Sequence, residues 1–340
     1  MKKITQLFIL FLVFGLSGMI AFAEPSNIIS EGKYVMGDLD TKKDAKTQAL
    51  LEAKRMAMEK AGTYLESASE VKNFQLSKDQ IKTMAAGIMS VEIINEDWKM
   101  SGESMVLTVQ IRATIDTSNL KDRISKMQES DNAESFRDVQ NQLTALQKEL
   151  ADLKRQSQQG DVQGTKKAPS REMKEKHESL VNDLSALEYM EKGNIAMINQ
   201  HWEEAVESYG QVIALNPGSI DAYAGKGYAL YRLGKLDDAL VIADKALLMY
   251  PSSARNLGVK ALVLKDQPGK VDLALETINS AIKYRPDAPR LYRFRGEVYM
   301  KMGRFYMAQK DFVRACKMGS KDSCARAKGL EEKIKAGKNK

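Results

Sequence analysis

Residues 221–251 read DAYAGKGYALYRLGKLDDALVIADKALLMYP, two helix-forming runs joined by a short break and closed by proline. The pattern returns upstream as LEYMEKGNIAMINQHWEEAVESYGQVIALNP (187–217). It returns downstream as RNLGVKALVLKDQPGKVDLALETINSAIKYRP (255–286) and RLYRFRGEVYMKMGRFYMAQKDFVRACKMGS (290–320). Gly193, Gly227, Ala261 and Gly296 share one position, which sets a period of 34 or 35 residues. Ala205, Ala239, Ala274 and Ala308 follow twelve residues later, or thirteen in the third copy. Tyr209, Ala243, Ile278 and Phe312 come four after those. A fixed period of this size marks a stacked repeat architecture.

Each copy reads as a helix pair. The small residue of the first helix is expected to face the alanine of the second, so that the two axes come close. Proline cannot continue a helix and follows the second one as Pro217, Pro251 and Pro286, with Ser320 in that place in the fourth copy. One pair buries little, but stacked pairs bury a continuous core. The pattern resembles the tetratricopeptide repeat (TPR) family, with repeats at 186–219, 220–253, 254–288 and 289–322. The third departs by carrying Ala261 for glycine and an extra residue in Gln267–Gly269, which predicts a longer turn. A helix with Leu180, Leu184 and Leu187 leads in and a capping helix follows, so an all-α solenoid is expected over 171–336.

The resemblance implies what such an array does. TPR solenoids bind peptides or protein segments in a concave groove lined by the first helix of each pair. On that face this chain places Asn194, Tyr228, Tyr231, Arg232, Arg255, Lys265, Arg290 and Arg293. Repeat one has one lysine against five glutamates, whereas residues 289–320 hold eight Lys/Arg against Glu297 and Asp311. That drift implies a partner with an acidic or C-terminal carboxylate segment, Arg290 and Arg293 serving as anion contacts. The other reading of each arginine is a solvated surface charge. Asn194 matches one position of the carboxylate clamp of chaperone-binding members, but Met190 stands where that clamp has lysine, so the clamp is not carried over.

Cys316 and Cys324 are the only two cysteines. On one continuous helix they would lie roughly 12 Å apart, beyond the ~7 Å a disulfide spans between Cα atoms. The repeat register instead puts Cys316 near the end of the last repeat's second helix and Cys324 at the start of the cap. Gly319 and Ser320 fall between them, where a helix stop and an N-cap belong. Antiparallel packing there brings the thiols together, and an oxidising compartment favours the disulfide over two free buried thiols. The same spacing occurs in Sel-like solenoids, where it staples neighbouring helices.

Upstream, Phe136, Val139, Leu143, Leu146, Leu150 and Leu153 alternate three and four apart, a heptad seam within a helical segment at 121–157. Glu149 and Lys154 fall where parallel chains would pair them. The seam predicts a homo-oligomer, or else an amphipathic helix packed on its own chain. Residues 158–170 turn polar and read as a flexible linker.

Residues 24–120 form a different unit. KYVMGDL reads as a strand, DAKTQALLEAKRMAMEKAGTYL as a helix, SEVKNFQLS as a strand and KDQIKTMAAG as a second helix. SVEIINEDWKM and MVLTVQIRATID, separated by SGES, read as a hairpin. The order β-α-β-α-β-β gives a small α+β domain, helices on one sheet face. Ala45, Ala49, Ala53, Ala57 and Ala61 recur every four residues and allow a close helix–sheet approach. The alanine-rich helix, Val71, Asn73, the Ala86–Ile88 stretch and the hairpin resemble the N-terminal domain of flagellar assembly protein T. That resemblance implies a periplasmic assembly module, and opens the alternative of a structural component of a flagellar basal-body ring.

The first 23 residues have a Lys2-Lys3 start, an apolar run and an Ala21-Phe22-Ala23 site, the layout of a cleaved signal peptide. Export to the periplasm is expected, with cleavage after Ala23 and no membrane span in what remains. The formal charge of +7 falls to +5 without Lys2 and Lys3, too diffuse to argue for nucleic acid. His177 and His201 are the only histidines, too few with two cysteines for a metal cage, and no cofactor is expected. His177 reads as lying on a polar helix face, and Trp98 and Trp202 read as packing residues. No Gly-x-Ser-x-Gly, His-Glu-x-x-His or phosphate-cradling loop is present, so an enzyme is not expected. Signal peptide, short coiled coil, linker and TPR array together are similar in layout to the Tol-associated cell-division coordinators. The sequence thus predicts a multidomain, non-enzymatic adaptor that holds a protein partner in a cell-envelope assembly.

Overall fold

The computed structural model describes residues 26–67, 81, 85–86, 89–102, 104–115, 130–159 and 170–338. The predicted signal peptide, the SEVKNFQLS strand, most of the second helix and linker residues 160–169 lie outside the described residues. In the N-terminal unit, β1 (Ser26–Val35), β2 (Met89–Ser101) and β3 (Ser104–Ile115) form an antiparallel sheet in the order β1-β3-β2. The β2–β3 hairpin turns at Gly102, whose φ of 63° suits glycine.

The first strand begins earlier than KYVMGDL suggests, because Ser26 to Gly32 pair with Ile115 to Val109. It ends at Val35, since the Gly37 N–H donates to the Asp40 carboxylate and folds the following residues into a loop. Helix α1 (Lys42–Ser67) covers one sheet face, with Ala45, Ala49, Ala53 and Ala57 fully buried against Leu107, Val109, Ile111 and Ala113, and Ala61 fully buried further along. At Gly32 the approach is closest. A Cβ there would sit 2.0 Å from the Ala49 carbonyl oxygen and 2.4 Å from the Ala53 nitrogen.

Helices α2 (Ser130–Gln159) and α3 (Arg171–Asn199) form an antiparallel hairpin. Of the two readings of the heptad seam, the packing seen here is that of an amphipathic helix on its own chain. Val139 and Leu143 are buried with Leu184 and Met190, and Leu150 and Leu153 with Leu180 and Val181, while Leu146 is half-buried beside both groups. The Phe136 side chain lies outside the described residues. Glu149 pairs with Lys176 at 3.0 Å and Lys154 with Asp40 at 2.9 Å, so both charges assigned to a second chain are used within this one. A leucine stripe binds whichever apolar face is nearest, and a short tether presents that of α3 at high local concentration.

The same hairpin carries the N-terminal unit. Leu51 of α1 joins the Val139–Leu143 cluster, and Lys54 pairs with Glu188. The β1–α1 loop buries Asp40 to 1% side-chain exposure, where Tyr34 Oη, Lys154 Nζ and the Gly37 N–H donate to it and His177 Nε2 lies 3.1 Å away. His177, expected on a polar face, is therefore buried. Burial pushes the Asp40 carboxyl up, but the His177, Gly37 and Lys154 hydrogen bonds outweigh it and hold its pKa at about 2.

The solenoid continues with α4 (Trp202–Leu215), α5 (Ile220–Arg232), α6 (Leu236–Met249), α7 (Ala254–Asp266), α8 (Val271–Tyr284), α9 (Pro289–Lys301), α10 (Phe305–Lys317) and α11 (Lys321–Lys338). The lead-in helix and the first helix of repeat one are continuous in α3. The third repeat's turn spans Gln267 to Lys270, the extra residue lengthening it. Inside a pair, the glycine makes room for the ring sixteen residues on rather than only for the alanine. A Cβ at Gly193 would lie 2.7 Å from Tyr209, and one at Gly296 2.6 Å from Phe312. At the C-terminal end Gly319 (φ 99°) turns the chain, Ser320 Oγ accepts from the Ser323 N–H, and Cys316 and Cys324 join with Cα atoms 4.6 Å apart.

Gly234, Gly269 and Gly303 adopt φ of 71–75° after a first helix, and Gln200 (φ 62°) holds the equivalent place without glycine's freedom. Gln200→Gly is expected to stabilise the chain by about 0.5–1 kcal/mol in denaturant titration. Asp40 has a folded pKa below its unfolded one, so its contribution is full above the unfolded pKa and is lost as pH falls through about 2. Acid unfolding should show that roughly 2 kcal/mol loss, and Asp40→Asn should remove that portion of the pH dependence.

Candidate functional site: the concave groove

The first helices of the four pairs, α3, α5, α7 and α9, line the concave face. At its centre Gly258 of α7 removes the side chain that would fill the floor. A Cβ there would meet Leu291 at 3.0 Å and Phe294 at 3.4 Å. Tyr228 of α5 therefore reaches past α7 and stacks on Phe294 of α9, ring centroids 6.0 Å apart and planes within 12°. Trp202 meets Tyr228 edge-on at 6.3 Å, and Arg232 lies 4.2 Å above the Trp202 ring while donating from Nη1 to Tyr228 Oη at 3.3 Å. Such ring and guanidinium contacts each contribute about 0.5–2 kcal/mol.

Beside this stack is a cavity of ≈ 90 Å³ whose walls include Asn194, Tyr209, Asp221, Tyr228, Arg255 and Arg290. Four of the eight residues predicted from sequence thus converge there: Asn194, Tyr228, Arg255 and Arg290. Asn194 Oδ1 accepts from Tyr209 Oη at 2.9 Å, and Arg255 pairs with Asp221 at 2.9 Å. Arg285 also lines the wall and pairs with Asp287 at 3.9 Å, so three arginines and one acidic residue, Asp221, line the cavity. The remaining four stand further along. Tyr231 Oη donates to Asp266 Oδ2 at 2.9 Å, Lys265 reaches the same oxygen at 2.8 Å, and Arg293 pairs with Glu297 at 2.8 Å. Arg232 covers Trp202.

The electrostatics register at the central ring. Burial pushes the Tyr228 phenol up, but Arg293, Arg290 and Arg232 outweigh it and hold the pKa below its ordinary value. Tyr209, buried with its cationic neighbours further off, is pushed up. Sequence reasoning assigned Trp202 to packing and did not select Phe294, Asp266 or Arg285. Phe294 carried a usable signal, since it is one turn from Arg290 on the same helix face and stands opposite a glycine. Among the described residues no group of three or more His, Cys, Asp or Glu is placed to hold a metal. Nor is any described helix long and apolar enough to cross a membrane.

Residues 193–234 match the family model of the TPR repeat, and the helical array from α3 to α11 is a TPR-like solenoid. The chain is 27% identical over 146 residues to the TPR repeat-containing protein MJ1428 of Methanocaldococcus jannaschii, covering 40% of this chain and 26% of that protein. It is 31% identical over 104 residues to Hsp70-Hsp90 organizing protein 3 of Arabidopsis thaliana, covering 30% of this chain and 18% of that one. Among solved structures it is similar to TTC0263, a thermophilic TPR protein of Thermus thermophilus, with 18% identity and a TM-score of 0.39 over 46% of this chain and 91% of that one. It is also similar to MamA, with 19% identity and a TM-score of 0.32 over 45% and 88%. TPR proteins generally mediate protein–protein interactions.

If the arginines set the Tyr228 ionisation, removing two of them must raise it. Arg232→Gln with Arg290→Gln is expected to move the Tyr228 pKa upward in an NMR titration of ring-labelled tyrosine.

Proposed function

We propose that the chain is an exported, periplasmic adaptor whose solenoid holds an acidic segment of a protein partner. The observation that carries this reading is the wall of the central cavity, which Arg255, Arg285 and Arg290 line with Asp221 beside an aromatic floor. A peptide carboxylate entering there exchanges with Asp221 for Arg255, while its apolar neighbours lie on Tyr228 and Phe294. The N-terminal α+β unit, with its resemblance to the flagellar assembly protein T domain, would dock to the envelope assembly. The signal-peptide layout of residues 1–23 supports export.

In-cell crosslinking followed by capture of the full-length chain tests both parts. The expected result is a reproducible envelope partner that Arg255→Glu with Arg290→Glu reduces about tenfold or more. Recovery of the same partner at equal yield by the charge-reversed chain would count against the groove. A chain found only in the cytoplasmic fraction, at full precursor length, would remove the periplasmic reading.

A further inference from the structure

The four second helices of the repeats open differently. In the first three, the leading residue is Trp202, Leu236 or Val271, each half-buried, followed by Glu203-Glu204, Asp237-Asp238 or Asp272-Leu273. Acidic side chains in a first turn complement the helix dipole and keep the turn wet. The fourth helix, α10, opens instead with Phe305, Tyr306 and Met307, which are 48%, 72% and 42% exposed. The array thus places three large apolar side chains in water where its other copies place at least one carboxylate.

These residues border a concave groove of ≈ 690 Å³ that is closed on its other side by Leu330 and Ile334 of α11. Its polar rim is Arg304 and Lys333, neither of which forms an ion pair among the described residues. The volume falls within the roughly 300–1,000 Å³ of ordinary ligand clefts. An apolar floor with an unpaired cationic rim is complementary to an apolar anchor flanked by carboxylates.

We infer that this groove between the start of α10 and the end of α11 is a second docking surface, taking an acidic protein segment with a large apolar anchor residue. It lies outside the concave face and stands independently of the adaptor reading. Its concavity favours a protein segment over a membrane, since a bilayer is engaged by a projecting tip or a flat amphipathic face. The segment's carboxylates would supply what the first turn of α10 lacks.

The test uses the full chain and a short fluorescent peptide with a Leu-Phe centre flanked by Asp and Glu. A sibling with lysine flanks and one with an alanine centre serve as controls. The acidic peptide is expected to raise anisotropy, to weaken with added salt and to exceed both siblings. Tyr306→Glu with Met307→Glu restores the acidic opening of the other copies, so it leaves the fold intact and should cost about tenfold or more in affinity. Arg304→Glu with Lys333→Glu should do the same, and both losses should persist in a chain that also carries Arg255→Glu and Arg290→Glu, in which the concave groove no longer takes an acidic peptide. Absence of binding to the unsubstituted chain, or equal binding by the Tyr306 variant, overturns the proposal. So does loss confined to the Arg255 variant. Sedimentation with phosphatidylglycerol vesicles that depends on Tyr306 and Met307, without peptide binding, would assign the patch to a membrane surface instead.

Discussion

The solenoid depends on how close two helix axes come at the glycine of each pair. Tyr209 is 3% exposed because Gly193 and Gly225 leave room on both sides of its ring, where a Cβ would fall 2.7 and 2.5 Å from it. Phe312 is held the same way by Gly296. The middle copies keep the spacing with a different exchange. Ala243 replaces the ring in the second, and in the third Ala261 stands opposite Ile278, each buried completely. The first-helix position is thus kept small in every copy while the group that fills the space beside it varies, and at Gly227 that space is taken by Val259 of the next helix and Ile242, 3.1 and 3.6 Å from where a Cβ would stand. Every later feature of the array, including the groove floor at Gly258, inherits that spacing.

A second constraint sets how the N-terminal unit sits. Asp40 is an almost fully buried carboxylate whose donors come from four segments: Tyr34 of β1, Gly37 in its own loop, Lys154 at the end of α2 and His177 near the start of α3. Burying a charge is unfavourable unless each lone pair is satisfied. The arrangement is therefore directional, since only one relative placement of loop and hairpin brings all the donors within reach. The apolar contacts of Leu51 add affinity without that direction. Together they couple the sheet to the first repeat through α2 and α3.

Much of the architecture was legible because it is written in spacing. The period of the glycines and alanines located the helix pairs, the alanine stripe located the face that meets the sheet, and the cysteine register located the terminal clasp. What spacing does not encode is partner choice. The heptad seam from Val139 to Leu153 specifies an apolar partner helix and is silent on which, so a hairpin within one chain and a coiled coil between chains read alike. His177 and Asp40, separated by 137 residues, had no sequence signal joining them. The groove was half legible: membership of the first-helix face follows from the repeat. Which of those cations converge depends on Gly258, which lets Tyr228 and Phe294 meet.

The groove's own contacts bear on how it discriminates. Arg255 and Arg293 are not waiting charges, since Asp221 and Glu297 already hold them. The Arg255–Asp221 pair is solvent-accessible, and such pairs are worth at most about 1 kcal/mol, so exchanging its carboxylate for another costs little, whereas Arg293 and Glu297 are 17% and 18% exposed and stay paired. An uncharged or basic segment, by contrast, would break the pair and leave guanidinium groups unpaired beside the Tyr228 ring. Discrimination then comes from rejecting the wrong charge as much as from attracting the right one. The ring stack supplies contact area that every ligand shares, and the paired arginines decide which ligand keeps it.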